Sequence, residues 1–74
     1  MKIDTAKSFG KAVRACRKRH GATQTQLAAI ANTGLRFIGE LENGKPTVQL
    51  GKALQVAKTL GLNLESRDSE GDGQ

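Results

Sequence analysis

Few side chains in this sequence can do chemistry, and most of those that can are cations. Its 74 residues carry 12 Lys and Arg against 7 Asp and Glu. The surplus is uneven, with a formal +8 over residues 1–60 and a formal −3 over residues 61–74. A body of that charge suits a polyanionic partner, although a solvated basic face looks the same until spacing is considered. The acids offer less. Glu40 and Glu42 are near neighbours but fall on different faces of any helix that holds them, so they cannot form an inward carboxylate pair. Cys16 and His20 are the only cysteine and histidine, too few for a metal site. The dipole at a helix C-terminus accounts for His20, and packing on an apolar stripe accounts for Cys16. No nucleophile–base–orienter set and no glycine-rich phosphate loop after a strand is visible. Neither an enzyme nor a cofactor is expected.

The cations need elements to carry them, and glycines mark where those elements stop. Phe9, Ala12, Val13 and Cys16 recur at helical spacing. They predict a core-facing helix over residues 5–20, capped by Asp4 or Thr5 and closed by Gly21. Its outer face shows Lys7, Lys11, Arg14, Lys18 and Arg19, concentrated where the helix dipole favours them. Thr23-Gln24-Thr25-Gln26 has the form of a capping box. A second helix should therefore begin at Gln24, turn Leu27, Ala28 and Ala31 inward, and stop near Asn32. A third runs over residues 35–43, with Ile38 and Leu41 on one face and Gly44 as its stop. Pro46 makes residues 44–46 a loop. Thr47 then caps a fourth helix reaching Leu60, with the stripe Leu50, Ala53, Leu54, Ala57 and Leu60, closed by Gly61. After it the period changes to two, as Leu62 and Leu64 alternate with Asn63 and Glu65, the mark of a short strand. Its backbone partner is Lys2-Ile3 or the same strand of a second copy; a frayed end is the alternative.

The second and third helices, joined by a short turn containing Gly34, make a helix-turn-helix unit. On pattern alone an αα-hairpin within an ordinary helical bundle is nearly as good a reading. Small Ala28 and Ala31 permit close approach, and Ile38 falls where it can pack between the helices. The chain has room for one domain. With 36% apolar residues, two Phe and no Tyr or Trp, its core is small enough that a second copy is expected to complete it. One cysteine excludes an intrachain disulfide, and no apolar run has the length of a signal or a membrane span. A reduced, cytoplasmic setting away from membranes is expected. The scarcity of stacking aromatics disfavours an RNA-binding module.

The runs Ala22-Thr23-Gln24-Thr25-Gln26-Leu27-Ala28 and Ile38-Gly39-Glu40-Leu41-Glu42-Asn43-Gly44-Lys45-Pro46-Thr47 resemble the five-helix phage-repressor (Cro/repressor, XRE-type) DNA-binding domain. The likeness extends over residues 8–64. Within that family the chain is most similar to HipB-like antitoxins, through Arg36-Phe37-Ile38 to Pro46-Thr47 and the ending Leu62-Asn63-Leu64. Those are small dimeric repressors that bind a HipA-type serine/threonine kinase toxin and silence their own operon. The resemblance implies an all-α, lambda-repressor-like bundle of four to five short helices with a helix-turn-helix. It also implies a short C-terminal β-strand that pairs across a dimer through Leu62 and Leu64. Residues 1–61 would be the DNA-binding domain, 62–67 the dimerising strand, and 68–74 a disordered acidic tail.

What the resemblance implies about function is a cytoplasmic, nucleoid-associated homodimeric repressor on an inverted repeat of double-stranded operator DNA, with a HipA-type kinase as protein partner. A phage-type or stand-alone regulator without a toxin is the alternative. Thr23 and Gln24 would sit at the DNA backbone, Gln24 facing a phosphate at a helix N-terminus. Gly34, Leu35, Arg36 and Gly39 would lie on or near the bases, with Glu40 on the outer side of the same helix and Thr33 a further DNA-binding residue. Asn43 and Lys45 would hold phosphates of the opposite strand. Arg36 is the natural base reader, since guanidinium is bidentate toward guanine O6 and N7. Leu35 would read a thymine methyl or pack against the second helix. Gly39 stands where the family often has a polar residue. It costs about 0.8–1 kcal/mol against Ala in a helix interior, and close approach either to DNA or to the second helix would explain it. Asn43 is equally readable as a helix-terminal residue. The resemblance also pairs Arg17 with Glu42, expected as a partly buried bidentate pair between the first and third helices.

Overall fold

Two capping boxes open the first two helices. Thr5 Oγ1 accepts from the Ser8 amide at 3.0 Å while Ser8 Oγ accepts from the Thr5 amide at 2.9 Å, starting α1 (Ala6–Arg19). Thr23 and Gln26 make the same exchange at 3.0 and 2.8 Å, starting α2 (Gln24–Ile30). The structure is a computed structural model that describes residues 2–64. Asn32 follows α2 in the left-handed region at φ 57°, a conformation asparagine tolerates better than most residues. It turns the chain into α3 (Leu35–Glu42). Gly44, at φ +80°, ends that helix where a Cβ would stand 2.9 Å from Lys7 Cα, so both backbone conformation and space require glycine there.

The start of α4 departs from expectation. Thr47 does not cap it. Pro46 and Thr47 form a turn and Val48 packs against the core, so α4 (Leu50–Leu60) begins after Gln49, without a side-chain cap. The buried stripe is correspondingly Ala53, Val56, Ala57 and Leu60, whereas Leu50 and Leu54 are 70% and 47% exposed. Val13, Leu27, Ile38, Leu41 and Val56 are the fully buried centre of the core. Both α2 and α1 pack on α3, and α4 packs on α1. The contact of α1 with α3 is closest at Gly10, where a Cβ would collide with the Leu41 carbonyl and lie 2.9 Å from the Glu42 oxygen.

Of the strand expected over residues 62–67, the described residues 62–64 form none. Gly61 and Leu62 donate to Lys58 O and Ala57 O at 3.1 and 2.8 Å, which is the Schellman closure of α4. Leu62 also packs against the chain's own core. Its amide and side chain are therefore committed, and Lys2-Ile3 forms no ladder with residues 62–64. Residues 65–67 of that expectation, and the tail over 68–74, lie outside the described residues.

Candidate nucleic-acid interface

The inner side of α3 is anchored by one buried carboxylate. Arg17 Nε donates to Glu42 Oε2 at 2.6 Å and Nη2 to Oε1 at 3.0 Å, with side chains 10% and 3% exposed. This is the expected bidentate pair, more deeply buried than the sequence implied. Arg17 Nη1 also donates to Ala22 O at 2.8 Å, and Gln24 Nε2 donates to Glu42 Oε1 at 3.1 Å. Glu42 thus ties α1, α2 and α3 together. Burial pushes its carboxyl upward, but the hydrogen bonds from Arg17 and Gln24 and the arginine's charge outweigh that and hold it below the ordinary 4.5. Further clasps run from Gln55 Nε2 to Ala31 O and from His20 Nε2 to Leu60 O, the latter at 3.2 Å. The helix-turn-helix is a braced unit.

The outer side of α3 is its opposite. Helical spacing puts Leu35, Arg36, Gly39, Glu40 and Asn43 on one side, away from Ile38 and Leu41. The Arg36 side chain is 91% exposed and Leu35 is half exposed. Arg36 Nε and Lys45 Nζ both donate to Glu40 Oε2, each at 3.3 Å. The Lys45 hydrogen bond, with Arg36 assisting, holds the Glu40 carboxyl below its ordinary range. Lys45, in the loop after α3, is thereby joined to this side; Thr23 and Gly34 are exposed at the starts of α2 and α3.

Some expected roles change with the geometry. Gln24 is not a plain surface glutamine, since Glu42 engages its amide. The Thr33 hydroxyl is buried with no hydrogen-bond partner among the described residues, so it does not face outward. Leu35 leaves half of its surface open to solvent. A Cβ at Gly39 would meet nothing within 4 Å, which removes close approach to α2 as the reason for that glycine. Asn43 is the C-cap of α3, and its side chain is exposed. The contact between Lys52 Nζ and the Phe37 ring, 5.9 Å from its centroid, and the junction at Glu40 were both missed. The four-residue spacing of Arg36 and Glu40 was the available signal for the junction.

Residues 13–66, from the middle of α1 past the end of α4, match the helix-turn-helix family. The chain belongs to that family. This helix-turn-helix protein is 48% identical over 64 residues to an uncharacterised HTH-type transcriptional regulator of Sinorhizobium fredii, covering 86% of this chain and 84% of that one. It is 40% identical over 71 residues to a competence pilus inhibition repressor of Acinetobacter baylyi, covering 86% of this chain and 64% of that one. A solved HipB–O4 20mer complex has the same fold, with a TM-score of 0.81 at 23% identity over 93% of this chain and 97% of that one. The helix-turn-helix family expected from the sequence is upheld, and the likeness to HipB is upheld at the level of the fold. In this helix-turn-helix, α2 and α3 are the paired helices and residues 32–34 their turn. No helix among the described residues is long and apolar enough to cross a membrane.

Proposed function

We propose that this transcriptional regulator is a sequence-specific repressor that binds double-stranded DNA as a homodimer, each copy placing α3 in a major groove. The observation that carries this reading is the exposed outer side of α3, mounted on a helix braced from behind by the buried Arg17–Glu42 pair. Arg36 reads guanine and Leu35 meets a thymine methyl. Gly39 leaves open space for a base edge. Thr23, Asn43, Lys45 and the second hydrogen of Gln24 Nε2 hold phosphates on either side. Gly34 lets the backbone come near the groove, and Thr33 shapes the turn.

The second copy covers the apolar side chains that the single chain leaves in water. Leu50, Leu54 and Leu64 are exposed and border a groove with Ile3, Phe9 and Val48. Leu50 and Leu54 replace Leu62, which packs against its own core, as the main dimer contacts beside Leu64. Two-fold symmetry then requires an inverted repeat with half-sites about 34 Å apart. The HipB-like fold and the sequence resemblance together favour an antitoxin whose other partner is a HipA-type kinase. The repressor among its relatives favours a regulator without a toxin. Co-purification with a kinase from the native host decides between them. For the DNA reading, fluorescence anisotropy should show tighter binding to the region upstream of its own gene than to random duplex; equal affinity would contradict it.

A further inference from the structure

Glu40 carries a carboxylate on the side of the protein that faces DNA, where an acceptor-only group is repelled by phosphates and by guanine O6 and N7. We propose that Glu40 is a positioning residue for base reading. It holds Arg36 by Nε, so that Nη1 and Nη2 face outward as a fork for one guanine, while Lys45 neutralises the carboxylate beside the DNA backbone. This rests on the reading of α3 as the helix that enters the major groove.

Three observations carry it. Both cations end on the same oxygen, Glu40 Oε2, at 3.3 Å. The anchor is better held than the group it holds: the Glu40 and Lys45 side chains are 30% and 45% exposed, against 91% for Arg36. Arg36 is bound only through Nε, and its two terminal nitrogens have no partner among the described residues. Those two nitrogens are the pair that an end-on contact with guanine uses. A tethered arginine has fewer rotamers to lose on docking than a free one. The negative charge adds a second effect of the same sign, because it weakens attraction to every DNA that offers Arg36 no acceptor pair. Removing Glu40 therefore loosens the fork and raises general DNA affinity together.

An ordinary exposed pair at four-residue spacing would affect only helix stability, and little of that. The test separates the two. The duplex preferred by the wild type is selected from a pool with a random core of about 20 bp, enough for two half-sites one helical turn apart. Dissociation constants are then measured for it, for its single-base-pair variants and for a scrambled duplex. Glu40→Gln should bind the scrambled duplex roughly threefold or more tighter, as loss of one negative charge predicts. It should lose about fivefold or more in discrimination at the one base pair where Arg36→Ala loses it, and add little to Arg36→Ala in the double variant. Glu40→Asp keeps the charge but is too short to hold Arg36, so it should lose the discrimination and leave scrambled-duplex affinity near wild type. Full discrimination in both Glu40 variants, or losses that add fully to Arg36→Ala, would overturn the proposal while leaving the DNA reading intact. A wild type that selects nothing from the pool would overturn both.

Discussion

Two carboxylates stand two residues apart on α3, each joined to an arginine and to one further donor, yet they perform opposite tasks. Glu42 is 3% exposed and bound bidentately by an arginine that is itself buried. Glu40 is ten times more exposed and shares one oxygen between two solvated cations. Breaking the buried pair strands a charge away from water, which costs several kcal/mol, whereas an exposed pair is worth about 0–1 kcal/mol. A domain that must be rigid behind and responsive in front therefore buries one pair and leaves the other exchangeable. Burial, more than residue type, decides which ion pair is scaffold and which is interface.

The sharpest way to break that comparison is to remove the buried anchor. Glu42→Gln should cost about 3–5 kcal/mol in urea unfolding, because Arg17 is left without its carboxylate; Glu40→Gln should leave the urea midpoint nearly where it is. Equal losses would erase the distinction. Acid offers a gentler version. Glu42 is held below 4.5 when folded, so its contribution is fully present above the unfolded value and is lost as pH falls through the lower folded value. The urea midpoint should hold from pH 7 to about 5 and drop below about 4.5, and the gap between wild type and Glu42→Gln should narrow there.

Smaller effects sharpen the outer side. Gly39→Ala finds open space and should stabilise the fold by about 0.8–1 kcal/mol through helix propensity, while weakening binding to the selected duplex. A rise in melting temperature without loss of binding would show that no base edge comes near Gly39. Smallest in stability are Arg36→Ala and Lys45→Ala, each within about 0.5 kcal/mol. On DNA they should part: Arg36→Ala relaxes one base pair, whereas Lys45→Ala weakens all duplexes alike and lowers the salt slope by about one.

Local chemistry made much of this legible in advance. Helix starts set by side-chain capping, at Thr5 and Thr23, were readable because both partners lie within four residues. The start of α4 was not, since Val48 is drawn into a core built from distant helices, and that shift also exposed Leu50 and Leu54. The strand at Leu62 and Leu64 failed for a similar reason, with a helix closure taking the Leu62 amide. Gly10 gives no sequence signal of its own, because its need comes from the Leu41 and Glu42 carbonyls across the α1–α3 contact. At the candidate site, residue identities on α3 could be listed from pattern and resemblance. The engagement of Gln24 by Glu42 and of two cations by Glu40 required three-dimensional placement.

The central claim is that Arg36, offered by a braced α3, reads guanine in the major groove. Guanine N7 methylation interference on the selected duplex tests it most directly. Methylation of one guanine in each half-site, the two about 34 Å apart, should block the wild type and leave Arg36→Ala indifferent. Interference at no guanine, or the same pattern in both proteins, would contradict the account.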